Sequence, residues 1–95
     1  MGIRSMTVVY LEVVIEPDGP VPPYLQLVEI LAERIERGDW RPNRPIPSEL
    51  QLVQEFGIAR GTVRRAVAVL RERGLVFTVP QRGTYVAPSP ATTAE

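Results

Sequence analysis

Residues 56–66 read Phe56-Gly57-Ile58-Ala59-Arg60-Gly61-Thr62-Val63-Arg64-Arg65-Ala66, a short turn running into an arginine-rich segment. Gly57 is placed to take a positive φ in that turn. From about Arg60 the spacing predicts a helix that runs to Arg73 and is closed by Gly74. On a helical wheel Val63, Ala66, Val67 and Leu70 fall together and form a core face. The opposite face holds Gly61, Arg64, Arg65 and Ala68, with Arg60 and Thr62 flanking it at the N-terminal end. Small residues between arginines let such a helix sit deep in a groove. Arg60, Gly61, Thr62 and Arg64 also lie in the first turns, the part of a recognition helix that reaches base edges. An ordinary solvated cationic face has the same composition, so this helix alone leaves both readings open.

Downstream, residues 75–79 and 84–87 read as two strands joined by the loop Pro80-Gln81-Arg82-Gly83, a hairpin with an arginine at its tip. Upstream, Ser48 opens a helix over residues 49–56. Ser48 with Gln51 fits a capping box, and Glu49 sits in the first turn where the helix dipole favours an anion. Residues 39–47 form a proline-rich connector, in which Trp40 is expected to pack over the helix connection. An earlier helix spans residues 24–37, with Leu27/Val28, Leu31 and Ile35 at helical spacing and Gly38 as its stop. Glu29, Glu33 and Arg37 on its other face read as solvated surface. The linker through Pro22-Pro23 is expected to be extended rather than helical. Before it, residues 7–16 alternate as a strand that ends at Pro17-Asp18-Gly19-Pro20. The expected division is a strand and linker over 1–22, a folded domain over 23–87 and a disordered tail over 88–95.

Composition narrows the chemistry. The chain has 95 residues, 11 cationic and 11 acidic side chains, and neither Cys nor His. Zinc sites, disulfides, thiolate nucleophiles and imidazole bases are therefore unavailable, and no metal or cofactor is expected. Glu49 and Glu55 on one short helix do not suggest an acid/base pair, and no enzyme is expected. The longest apolar run, residues 66–70, is far too short for a membrane span, and no signal peptide is legible, which makes the cytoplasm the expected location. The zero net charge conceals a gradient. Residues 1–58 hold five arginines against nine carboxylates, whereas residues 59–87 hold six arginines against Glu72 alone. Every cation is arginine, which suits bidentate contact with phosphate or guanine.

The order of these elements resembles the winged helix-turn-helix DNA-binding domain of GntR-type bacterial transcription regulators. Four segments carry the resemblance: Pro23-Tyr24-Leu25-Gln26, Ile46-Pro47-Ser48-Glu49-Leu50, the run from Phe56 to Ala66 quoted above, and Arg82-Gly83-Thr84-Tyr85-Val86. The fold it implies is α+β, three helices plus a C-terminal β-hairpin wing, here with an extra N-terminal strand. The function it implies is sequence-specific transcriptional regulation, as a repressor, with double-stranded DNA as partner. Arg60 and Arg64 match the family arginines that contact the operator, and Thr62 matches a further contact position. The second helix meets phosphate at its N-terminus around Ser48. The implied DNA-binding set is Ser48, Glu49, Arg60, Gly61, Thr62, Arg64, Arg65, Arg82, Gly83 and Thr84. Physical chemistry gives compatible roles: an arginine fork grips guanine at roughly 1–3 kcal/mol of discrimination, while backbone N–H groups beyond Ser48 hold a phosphate without reading sequence. Arg82 suits a minor groove or its flanking phosphates.

The chain also departs from the family pattern. Leu50 stands where a polar or arginine side chain is common, Ala59 replaces a hydroxyl N-cap, Gly61 replaces a groove side chain, Gln81 replaces a wing glycine and Asn43 a connector glycine. Altered operator preference or weaker affinity, with the fold intact, is the expected result. GntR-type regulators usually carry an effector-binding and dimerising domain after the winged helix, for which 95 residues leave no room. No small-molecule effector is therefore expected within this chain, and a homodimer on a palindromic site needs another interface. The strand over 7–16 is one source; its packing on the wing of its own chain is an equal alternative. A reading from another class is a protein-interaction adaptor that docks through that same strand.

Overall fold

A computed structural model describes residues 14–88. Its elements are α1 (Pro23–Arg37), α2 (Glu49–Phe56), α3 (Arg60–Glu72), β1 (Val76–Val79) and β2 (Gly83–Val86). This is the expected α+β winged helix-turn-helix order. No helix of the described residues is long and apolar enough to cross a membrane.

The first helix starts earlier than expected, because Pro23 is its first residue rather than part of an extended linker. A proline at that position forfeits no helical hydrogen bond, since its N–H would have no partner there. Pro22 is the N-cap, and its carbonyl accepts from the N–H groups of Leu25 at 3.0 Å and Gln26 at 3.1 Å. Gly38 closes α1 with φ 86°, the left-handed conformation. At the far end of α3 two bounds shift by one residue. Arg73 caps the helix instead of extending it, and Leu75 stays outside β1 because its N–H returns to the Leu70 carbonyl at 3.0 Å.

The helices enclose one core. Leu27, Val28, Leu31 and Ala32 of α1, Leu52 of α2, and Val63, Ala66 and Leu70 of α3 are buried together with Ile46, Val76 and Val86. Each fully buried leucine contributes about 1.5–3 kcal/mol through the area it removes from water. At the rim Arg34 of α1 pairs with Glu55 of α2 at 2.7 Å and lies over the rings of Phe56 and Trp40. Trp40 thus packs at the helix connection as expected.

The wing pairs antiparallel, Val76 with Val86, Phe77 with Tyr85, Thr78 with Thr84 and Val79 with Gly83. Gly83 is therefore in the strand rather than in the loop, and Ala87 lies beyond it. The connector, which reads as an irregular proline-rich loop, is tied to β2. The Asn43 N–H donates to the Val86 carbonyl at 2.7 Å, the Val86 N–H to Arg44 at 2.9 Å and the Ile46 N–H to Thr84 at 2.9 Å. Asn43 adopts φ 66° to do so, the left-handed region an asparagine tolerates. Gln81 takes φ 65°, so the conformation a wing glycine would supply is kept at the cost of local strain.

Of the expected N-terminal strand, residues 7–13 lie outside the described residues, as does most of the tail expected over 88–95. Its described end, Val14, Ile15 and Glu16, is not in a strand. Glu16 is held instead by Gln26, whose side-chain oxygen accepts from the Glu16 N–H at 2.8 Å and whose amide donates to the carbonyls of Glu16 at 2.8 Å and Val21 at 2.6 Å. The backbone N–H and carbonyl of Glu16 are thus taken by that amide rather than by a strand partner.

Candidate nucleic-acid interface

Ser48 organises one side of the site. Its hydroxyl accepts from the Gln51 N–H at 3.1 Å while the Gln51 side chain accepts from the Ser48 N–H at 2.8 Å. This reciprocal box starts α2 and aims Glu49, the first helical residue, across the gap toward α3. Arg60 and Arg64 of α3 both converge on that carboxylate. Arg60 Nε lies 3.1 Å from Glu49 Oε1, and Arg64 Nε lies 2.5 Å from Oε2. The two arginines are four residues apart and so share a helix face. With their closest approach through Nε, and side chains 59 % and 66 % exposed, each keeps terminal amino groups for an outside acceptor. Two guanidinium groups against one carboxylate leave the face positive.

Around this pair α3 stands as a ridge between two recesses. On one flank a groove of about 640 Å³ is lined by Ser48, Glu49, Arg64, Arg71, Thr78, Arg82, Gly83 and Thr84 among others. It joins the start of α2, the ridge and the wing. On the other flank a shallower recess of about 620 Å³ is bordered by Pro22, Pro23, Tyr24, Gly61, Thr62 and Arg65. Gly61 has open space where a side chain would stand, which keeps this part of the ridge low. Ala59 gives α3 no side-chain cap.

The expected site residues are thus brought together, with a division that sequence reasoning missed. Arg65 does not stand beside Arg64 in the wing-side groove; its guanidinium stacks 3.9 Å above the Tyr24 ring and ties α3 to the start of α1. Arg71 and Thr78 join the groove unannounced. The signal for Arg71 was available, because it follows Arg64 by seven residues, two helical turns, and so falls on the same face. Leu50 is exposed beside the site at 53 %.

Known proteins place this architecture. The sequence pattern described as "Bacterial regulatory proteins, gntR family" matches residues 23–86. The HTH-type transcriptional repressor NagR of Bacillus subtilis (strain 168) is 40 % identical over 73 residues, covering 77 % of this chain and 30 % of NagR. A histidine utilization repressor of Klebsiella aerogenes is 41 % identical over 69 residues, covering 73 % of this chain and 29 % of that protein. The chain therefore spans about 30 % of the length of these relatives. Among solved structures, the AraR DNA-binding domain in complex with operator ORX1 superposes with a TM-score of 0.71 at 36 % identity, over 78 % of this chain and 98 % of that one. A family match across most of the described domain, on the winged helix-turn-helix architecture itself, means that this chain belongs to the gntR family of bacterial regulatory proteins.

Proposed function

We propose that the chain is a sequence-specific DNA-binding transcriptional regulator, a repressor acting in the cytoplasm, that reads a short palindromic operator as a homodimer. The ridge of α3 enters the major groove, where Arg60 and Arg64 grip base edges. Thr62 and the start of α2 at Ser48 meet phosphates and fix register. Arg82, with Gly83 and Thr84 behind it, brings the wing to the neighbouring minor groove or its phosphates. The observation that carries this reading is the exposed Arg60–Arg64 pair on a ridge flanked by recesses. Support comes from relatives named as repressors and from the likeness to AraR domains bound to operators.

The test is selection of bound duplexes from a random pool by the 95-residue chain, followed by titration of the enriched duplex across a salt series. The expected outcome is a log K that falls linearly with log[salt], and two half-sites about one helical turn apart. A pool that yields no enriched sequence, with equally weak binding to every duplex at low salt, defeats the proposal and favours the adaptor reading.

A further inference from the structure

We propose that Arg71 is a positioning residue that sets the wing against the recognition helix through Thr78 and Thr84. This inference rests on the DNA-reading function above. Arg71 lies in the last turn of α3, where the helix dipole favours a cation but specifies no acceptor. Its Nη1 donates to Thr78 Oγ1 of β1 at 3.0 Å, and that hydroxyl is in turn hydrogen-bonded to Thr84 Oγ1 of β2 at 3.2 Å. Thr78 and Thr84 are a directly opposed pair in the ladder. One guanidinium on the helix therefore fastens both strands of the wing at the same rung.

The rung matters because of where the wing is otherwise held. Its inner end is anchored by Val76 and Val86 in the core, and β2 is held further out by the connector through Ile46 and Thr84. Beyond Phe77, β1 is hydrogen-bonded to its partner strand and, through Thr78, to Arg71. Arg82 stands at the tip two residues from Thr84, so play at this rung carries directly to the side chain that reaches DNA. Arg71 also shares the face of α3 that presents Arg64. The strut thus fixes the wing relative to the same stripe that reads the major groove.

The test compares the wild-type chain with Arg71→Met, Thr78→Val, the double variant and Thr78→Ser. The probe is a labelled duplex recovered from a random pool by the wild type, and melting temperatures confirm that each variant is folded. Thr78→Val keeps shape and strand preference while removing the acceptor. Each single variant is expected to bind about five- to tenfold more weakly, the double no more weakly than either single, and Thr78→Ser to recover to within about twofold. Selection repeated with Thr78→Val relaxes the positions under the wing and leaves those under α3 unchanged. Wild-type affinity in Thr78→Val, or losses that multiply in the double, overturns the strut. So does a salt slope lowered by about one in Arg71→Met alone, which identifies a direct phosphate contact instead. A wild-type chain that enriches no duplex is a different failure: it removes the function itself, and the strut falls with it.

Discussion

Glu49 and Arg64 are joined at 2.5 Å across the gap between α2 and α3, and the same carboxylate holds Arg60 at 3.1 Å. Partly exposed pairs of this kind contribute about 0–1 kcal/mol to stability, so the larger effect is on the field presented to DNA. On the proposed function, Glu49 cancels part of the positive charge at the face that reads DNA and restrains two side chains whose fork direction matters. Glu49→Gln should leave the melting temperature nearly unchanged. It should tighten binding to random-sequence duplex, steepen its salt dependence, and narrow the gap between selected and scrambled duplexes. Anisotropy titrations across a salt series check this; unchanged affinity for scrambled DNA rejects it.

Arg64→Ala removes a fork from the exposed ridge. The expected loss on the selected duplex is about 1–3 kcal/mol, with preference relaxed at one base position rather than across the site. Per-position selection with the variant reports this, and a uniform loss at every position would reassign Arg64 to phosphate.

Much of this site was legible because its determinants are local. Ser48 and Gln51 stand three residues apart and form the capping box their spacing suggests; Gly57 takes φ 64°; Val63, Ala66 and Leu70 are all buried on one face of α3. What escaped depends on contacts between distant segments. Glu49 reads as a first-turn anion suited to the dipole, and nothing in its own helix indicates that it meets Arg64 fifteen residues later. Arg65 adjoins Arg64 on the same side of the helical wheel, and the position of Tyr24 on another helix gives it a different role. The connector looked irregular because its prolines spoil any alternation. Pro45 nevertheless bridges to Tyr85, an edge position that asks no N–H of it.

The stacking of Arg65 on Tyr24 makes a separable prediction. Tyr24→Ala and Arg65→Ala should each destabilise the domain, with a coupling of about 0.5–1 kcal/mol in a double-mutant cycle. Arg65→Ala should weaken DNA binding less than Arg64→Ala does. Urea unfolding of the four chains measures the coupling, and additive losses would show that the ring contact is not a bond in energetic terms.

Ser48→Ala removes the hydroxyl that starts α2 and orients Glu49. The expected cost is about 0.5–2 kcal/mol of stability, read from thermal unfolding. A loss of DNA affinity beyond the unfolded fraction would report the phosphate contact proposed for the start of α2.

The hydrogen bonds between residues 43–46 and β2 have a consequence for the order of events in folding. A two-stranded hairpin alone is at best marginal in water, and the third partner here comes from the connector between α1 and α2, with two helices intervening before the wing. Closing that long loop comes after the helices have formed their local contacts. The wing is then the last element to assemble and, by the same connectivity, the first to open. Hydrogen exchange should show the Asn43 and Ile46 amides opening at lower free energy than those of Val63 and Leu70. On the proposed function, a wing that opens first would leave DNA while the helical ridge stays seated, which would separate how long the protein stays bound from how selectively it arrives.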